Sequence, residues 1–250
     1  MSASAKIIPL GKSPIGFASQ ETNSSSLLKK FKMSLFPSVE DIYVLVNKQS
    51  VLMEEILDHL DSFLQDNSTM EAEKIAILEQ KRDDLKLGYL SEMTKTFPNP
   101  LRDDIHRAIQ SIDTAIDFTK NTVQEMQMLE ITADDHILGM VALLREGTEL
   151  LSQGLDNLAV NRQQSAKSFE ELRRLKQPMD KAFRLAISQL FTADAEIKAL
   201  AAQEDDAKTR AFSRVVEIFK RREVYRHIYN AGDHLSLAGG ALFSLVGHGI

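Results

Sequence analysis

Apolar residues recur at helical spacing along most of this chain, and no window shows the apolar–polar alternation that predicts a β-strand. Between residues 42 and 64 they fall three or four positions apart, which places them on one side of a helix. A capping-box pattern, Ser-Val-Glu-Asp, starts at Ser38, immediately before this segment. The pattern therefore predicts a first amphipathic helix that packs one face against a core.

Start and stop signals in the rest of the sequence predict five further helices. A Ser-x-x-Glu pattern begins at Ser68, and Asn99 places a cap residue before Pro100 at the first helical position. Pro178 lies inside the fifth helix, where a proline should kink the backbone. The predicted limits are 68–97, 99–129, 132–160, about 165 to beyond 190, and an acidic turn at 202–208 followed by a helix to the C-terminus.

The two halves of the chain resemble each other in sequence. Residues 78–83 (LEQKRD) are similar to residues 175–180 (LKQPMD), and residues 113–117 (DTAID) are similar to residues 229–233 (YNAGD). Each pair falls on the second and third predicted helices of its half, which is typical of a tandem repeat. The sequence thus predicts an all-α fold of two tandem three-helix bundles with six long helices.

This architecture gives three predicted regions: a mobile N-terminal arm at 1–37, a first bundle at 38–131 and a second bundle at 132–250. The arm is rich in Ser, Gly and Pro and ends in a basic cluster, which is typical of a disordered tail. An auxiliary contact with anionic lipid or with acidic loops of a partner is the alternative role of those bases.

Composition limits the function classes. Hydrophobic residues make up 43% of the chain, so there is ample material for a core. A net charge of -6 without a long Lys/Arg run argues against a nucleic-acid partner. The chain has no apolar run of about 18 residues, and its first residues lack the apolar core of a secretory signal. Together with the absence of cysteine, these features favour a cytoplasmic protein with no membrane span.

Four carboxylates are candidates for a cation site. Asp113 and Asp117 lie one turn apart on the third helix, where like charges repel by about 0.2–0.5 kcal/mol. Glu79 and Asp83 lie as far before the interhelical turn as those two lie after it, so antiparallel helices would place all four at one height. Such oxygen ligands suit hard cations such as magnesium, manganese or iron, with His106 as a further donor.

Neighbouring bases offer a plainer explanation of the same residues. Arg82 follows Glu79 by three positions and Lys86 follows Asp83 by three, which is the spacing of ordinary ion pairs on a helix surface. Spacing alone leaves both interpretations open.

Enzyme chemistry has few candidate residues here. The sequence contains no cysteine, no Gly-x-Ser-x-Gly elbow and no complete Gly-x-x-x-x-Gly-Lys-Ser/Thr loop. A di-iron oxidase needs two Glu-x-x-His pairs, whereas Glu223 and His227 have the i,i+4 spacing of a helix-surface contact. His227 and His234 lie seven residues apart and share a helix face, where they could join a site with Asp233, but ordinary surface or core roles are favoured for them. We therefore expect no catalytic residues and no enzymatic activity.

Segments of both halves resemble a known family. The stretches LEQKRDD at 78–84 and TFPNPLRDDIHRAIQSIDTAIDF at 96–118 resemble the PhoU-like family that accompanies low-affinity, Pit-type inorganic phosphate transporters. REVYRHIYNAGDHLSLAG at 222–239 is similar to the last motif helix of that family. The resemblance implies a PhoU-like version of the two-bundle fold.

The same resemblance implies a metal site in the first bundle only. The family has an Asp/Glu-x-x-x-Asp motif on helices of each bundle, and the first half of this chain matches it in full. In the second half, Lys176 and Tyr229 stand where the motif has acids. The implied ligands of a divalent or ferric cation (iron, zinc, manganese or magnesium) are Glu79, Asp83, Asp113 and Asp117.

For function, the resemblance implies a non-enzymatic regulator or accessory protein of inorganic phosphate transport. Its partner would be the cytoplasmic face of the transporter, so the chain would lie in the cytoplasm at the inner face of the membrane. The alternative is a purely structural helical interaction module without metal. Either form could be a homo-oligomer, because bundles of this kind associate through exposed apolar helix faces.

Overall fold

Seven helical segments make up most of the chain that this computed structural model describes, namely residues 39–96, 99–192 and 205–248. In chain order the segments are α1 (Val39–Asp66), α2 (Thr69–Thr96), α3 (Asn99–Leu129), α4 (Asp135–Asp156), α5 (Arg162–Arg174), α6 (Lys176–Thr192) and α7 (Asp205–Gly247). Only Leu175 separates α5 from α6, so the two form one interrupted helix. The predicted all-α class with six long helices is therefore confirmed for the described residues.

The observed helix limits follow the capping signals closely. The third helix begins at Asn99, as predicted, whereas α4 begins at Asp135 rather than at 132. The reason is that the Asp134 side chain accepts hydrogen bonds from the backbone N–H groups of His136 and Ile137, which makes it the N-cap. The predicted N-terminal arm, Ser38 of the capping box and residues 202–204 of the predicted acidic turn lie outside the described residues. Residues 205–208 belong to α7, so the prediction of a turn is wrong there.

The break between α5 and α6 lies three residues before Pro178. Proline has no backbone N–H and its ring clashes with the carbonyl of the residue four positions earlier, which here is Arg174. The chain accommodates this by ending α5 at Arg174. There the Leu175 N–H donates a 3₁₀-type hydrogen bond to the Leu172 carbonyl, three residues earlier, at 3.1 Å. Pro178 then falls in the first turn of α6, where its missing N–H costs nothing.

Helix packing joins the two predicted bundles in two places, where α3 contacts α7 and where α1 contacts α4. Helices α1, α2 and α3 contact one another, α5, α6 and α7 pack with α4, and α3 lies against α7 over a long distance. The buried apolar residues form one continuous cluster within the described part of the chain. Because this core crosses the predicted boundary at 131–132, the division into two separate domains stays a prediction. None of the helices described here is apolar over a stretch long enough to cross a lipid bilayer.

Asp134 ties the start of α4 to α7. Besides capping α4, its carboxylate accepts a hydrogen bond from the Tyr225 hydroxyl at 2.6 Å and one from Arg221 Nη1 at 2.7 Å. The largest cause of the raised pKa of Tyr225 is burial, and the bond to Asp134 adds to it, so the phenol stays protonated and donates.

We predict that Asp134→Ala lowers the free energy of unfolding by about 2–3 kcal/mol, because it removes both a helix cap and charge-assisted hydrogen bonds. Urea unfolding followed by circular dichroism measures this. The neighbouring exposed Asp135 provides the control, since Asp135→Ala should cost only a few tenths of a kcal/mol through the helix dipole. Equal losses in the two variants would contradict the proposed role of Asp134.

Candidate functional site

The four carboxylates singled out in the sequence surround one buried arginine between α2 and α3. Arg82 Nε lies 2.9 Å from Asp113 Oδ1, and Nη2 lies 2.7 Å from Asp83 Oδ1 and 3.1 Å from Glu79 Oε1. Nη1 donates to Asp117 Oδ1 and, at 3.1 Å, to the backbone carbonyl of Asp113. We call these four acids the four-carboxylate cluster, with Arg82 as its central cation.

Burial makes this pairing different from the surface ion pair that the sequence suggested. The side chain of Arg82 is 4% exposed and that of Asp113 is 3% exposed, so the innermost pair has almost no contact with solvent. Asp83 and Asp117 lie further out, with side chains 58% and 41% exposed. The predicted pair of Arg82 with Glu79 is therefore present, but it is not an ordinary surface pair because Arg82 is buried. The side chain of Lys86 lies outside the described residues.

Electrostatics keep the guanidinium charged. Burial opposes the charge, but the hydrogen bonds to Asp117 and Asp83 together with the Asp113 carboxylate raise the pKa of Arg82 above its ordinary value. Lys120 adds a second cation, with its Nζ 2.9 Å from Glu79 Oε1. The repulsion between neighbouring acids is thus offset by two basic side chains of the protein itself.

Metal binding by Glu79, Asp83, Asp113 and Asp117 stays a prediction, and the geometry sets a condition for it. The Arg82 guanidinium reaches all four carboxylates, so an ion shared by them would have to displace it. His106 lies seven residues before Asp113, roughly 10 Å along the axis of α3, which is too far for one ion to join the two.

In the second half, the two residues that stand at acid positions of the motif pair with the acids that remain. Lys176 Nζ forms an ion pair with Asp233, and this hydrogen bond is the main cause of the raised pKa of Lys176. A hydrogen bond to Asp180 is the main cause of the raised pKa of the Tyr229 hydroxyl. Lys176 and Tyr229 stand where the motif has acids, and each of them therefore interacts with one of the two acids of the motif that this half retains. Because the Lys176 side chain is 51% exposed, its ion pair contributes little to stability.

His234 follows Asp233 and stacks on Phe118, with ring centroids 5.6 Å apart. Burial lowers the pKa of His234, although the nearby Asp233 carboxylate opposes the shift. A histidine with a depressed pKa in the folded state binds fewer protons than in the unfolded chain. Folding stability is therefore lost as the pH falls below the unfolded pKa of about 6.5.

Because His234 contributes to this loss, we predict that the free energy of unfolding of His234→Gln decreases less between about pH 7 and pH 5 than that of the parent. Chemical unfolding at several pH values measures the slope. His136→Gln is the control, because His136 bonds the side chain of Gln189 in an exposed position. An unchanged slope in His234→Gln would contradict the prediction.

Comparison with known proteins gives one kind of match. No family model and no curated protein matches the sequence. Among solved structures, the chain is similar to the crystal structure of PhoU from Pseudomonas aeruginosa, with a TM-score of 0.63 and 15% sequence identity. The match covers 84% of this chain and 97% of that chain. The chain therefore has a PhoU-like fold, and the fold implied by the sequence resemblance is confirmed.

Proposed function

We propose that this chain is a non-enzymatic regulator or accessory protein of inorganic phosphate transport, acting in the cytoplasm at the inner face of the membrane. The observation that supports this most is the PhoU-like fold, matched over 97% of the compared PhoU chain. The motif residues of the first half add support, because they resemble those of the family that accompanies Pit-type phosphate transporters.

Arg82 favours a form of this function that needs no metal at the four-carboxylate cluster. Its guanidinium already supplies the positive charge for which a metal would otherwise be required. In this proposal the cluster fixes α2 against α3 and keeps the surface that the partner recognises in one shape. Regulation then consists of recognition between folded surfaces, with no substrate turned over.

Binding to membranes that contain the transporter tests the proposal. The purified chain is incubated with vesicles that contain a Pit-type phosphate transporter and with matched vesicles that lack it, each with and without EDTA. We expect retention on the transporter vesicles alone, and the same retention in EDTA. Equal retention on both vesicle types would contradict the proposed partner. Loss of retention both in EDTA and in an Asp113→Asn/Asp117→Asn variant would support the metal-dependent form instead.

A further inference from the structure

Three side chains of metal-ligand type meet where α3 packs against α7. Glu125 comes from α3, and Glu223 and His227 come from successive turns of α7. Each offers one ligand atom, and these three atoms all lie within 4.8 Å of one another. We call this group the seam triad. It is separate from the four-carboxylate cluster, since Glu125 lies eight residues, or about 12 Å along the helix, beyond Asp117.

Two buried atoms of the seam triad are left without a hydrogen-bond partner. His227 is 8% exposed, and its Nδ1 has no partner although Nε2 lies 2.9 Å from Glu125 Oε1. The second oxygen of Glu125, Oε2, is also buried and lacks a partner. Leaving such groups unpaired costs about 1–3 kcal/mol each, and proteins usually satisfy them with water or an ion. These two atoms are therefore available to bind an ion or a water molecule.

The chemistry of the three donors selects the kind of ligand. Two carboxylates beside an imidazole attract a cation, and the mixture of oxygen with nitrogen suits a first-row transition dication such as Zn²⁺ better than Mg²⁺ or Ca²⁺. Neighbouring ligand atoms around a tetrahedral zinc lie roughly 3.4 Å apart, so the 4.8 Å limit of the triad requires only small side-chain rotations.

The surroundings hold the donors in place and leave an oxygen available. Arg226 pairs with Glu223 Oε2, which leaves Oε1 of that carboxylate for an ion. The Phe118 ring lies 5.8 Å from the His227 ring and covers it on one side. A cation bound here would be coordinated from both α3 and α7, and would thus link the helices that join the two halves of the fold.

We propose that Glu125, Glu223 and His227 form a binding site for a divalent transition-metal ion that fastens α3 to α7. The remaining coordination positions would be filled by water, as expected for a site with three protein ligands. The proposal concerns these residues and not the acidic motif shared with the PhoU-like family.

Calorimetric titration of the metal-free full chain with Zn²⁺ tests this site. The proteins compared are the parent, His227→Gln, Glu223→Gln, the control His136→Gln, and Asp113→Asn/Asp117→Asn. Glu223 is only partly buried, so its substitution should leave the fold intact even if His227→Gln does not. Circular dichroism in EDTA checks the folding of every variant.

We expect the parent and His136→Gln to bind about one more equivalent of Zn²⁺ than Glu223→Gln and His227→Gln, or to bind it at least about tenfold more tightly. Zn²⁺ should raise the melting temperature of the parent and of His136→Gln. It should raise the melting temperatures of Glu223→Gln and His227→Gln less. The same titration curve in parent, His227→Gln and Glu223→Gln would overturn the proposal. So would loss of the zinc equivalent in Asp113→Asn/Asp117→Asn alone, because the ion would then be bound by the four-carboxylate cluster.

Discussion

Replacing Arg82 with glutamine is expected to lower the free energy of unfolding by about 3–5 kcal/mol, the cost of breaking a buried ion pair from one side. The substitution leaves Asp113, whose side chain is 3% exposed, without its central counterion. It also leaves Glu79, Asp83 and Asp117 facing one another. Urea unfolding at neutral pH, followed by circular dichroism, measures the loss.

Arg174→Gln is the matched control for this experiment. Arg174 pairs with Glu170 one turn away, but its side chain is 67% exposed, so its substitution should change the stability by no more than about 0.5 kcal/mol. A loss below about 1 kcal/mol in Arg82→Gln would contradict the role assigned to the guanidinium.

The same variant also separates the two explanations of the four-carboxylate cluster. If Mg²⁺ restores stability to Arg82→Gln and leaves the parent unchanged, the carboxylates take a metal only after the arginine is removed. If Mg²⁺ stabilises the parent equally, metal and guanidinium are compatible and the metal-free form of the proposed function is wrong.

Gly239→Ala is expected to destabilise the fold by about 1–3 kcal/mol, the usual cost of overpacking. A Cβ at Gly239 would lie 2.7 Å from the backbone nitrogen of Arg173 and 3.0 Å from the carbonyl carbon of Leu172. Both are backbone atoms at the end of α5, so they cannot move aside as a flexible side chain can. The Ser236 hydroxyl marks the same close approach, because it donates to the Arg173 carbonyl at 2.5 Å.

The adjacent Gly240 gives the control with the opposite expected sign. A Cβ there would come no closer than 3.6 Å to Arg173, an ordinary contact with its side chain. Gly240→Ala should therefore be neutral or should stabilise α7 by up to about 1 kcal/mol through helix propensity. Thermal melting of both variants measures the difference. Equal changes in the two variants would show that α5 and α7 do not approach at Gly239 as closely as described.

Much of the fold was predictable because its signals are local. The 3.6-residue periodicity located the helices, and the Asn99-Pro100 pair fixed the start of α3. Pro178 indicated a disturbance in the fifth helix, which the structure places at Leu175. Each of these effects acts within about one helical turn, so a single sequence contains the necessary information.

The candidate site was less predictable because it depends on which side chains become buried. Sequence spacing brought the four acids to one height and identified Arg82 as a partner, but it described that pairing as a surface contact. Only the packing of α2 on α3 shows that the guanidinium is enclosed. Likewise, Glu125 and His227 are 102 residues apart, and nothing in the spacing of either helix relates them.

The proposed regulation of phosphate transport can be tested by measuring the uptake of radiolabelled inorganic phosphate. Initial uptake rates are compared in cells with the same amount of a Pit-type transporter, with and without this chain, and with Arg82→Gln as the destabilised control. We expect the intact chain to change the uptake rate and Arg82→Gln to change it less. An uptake rate that is the same with and without the intact chain would rule out the proposed regulation.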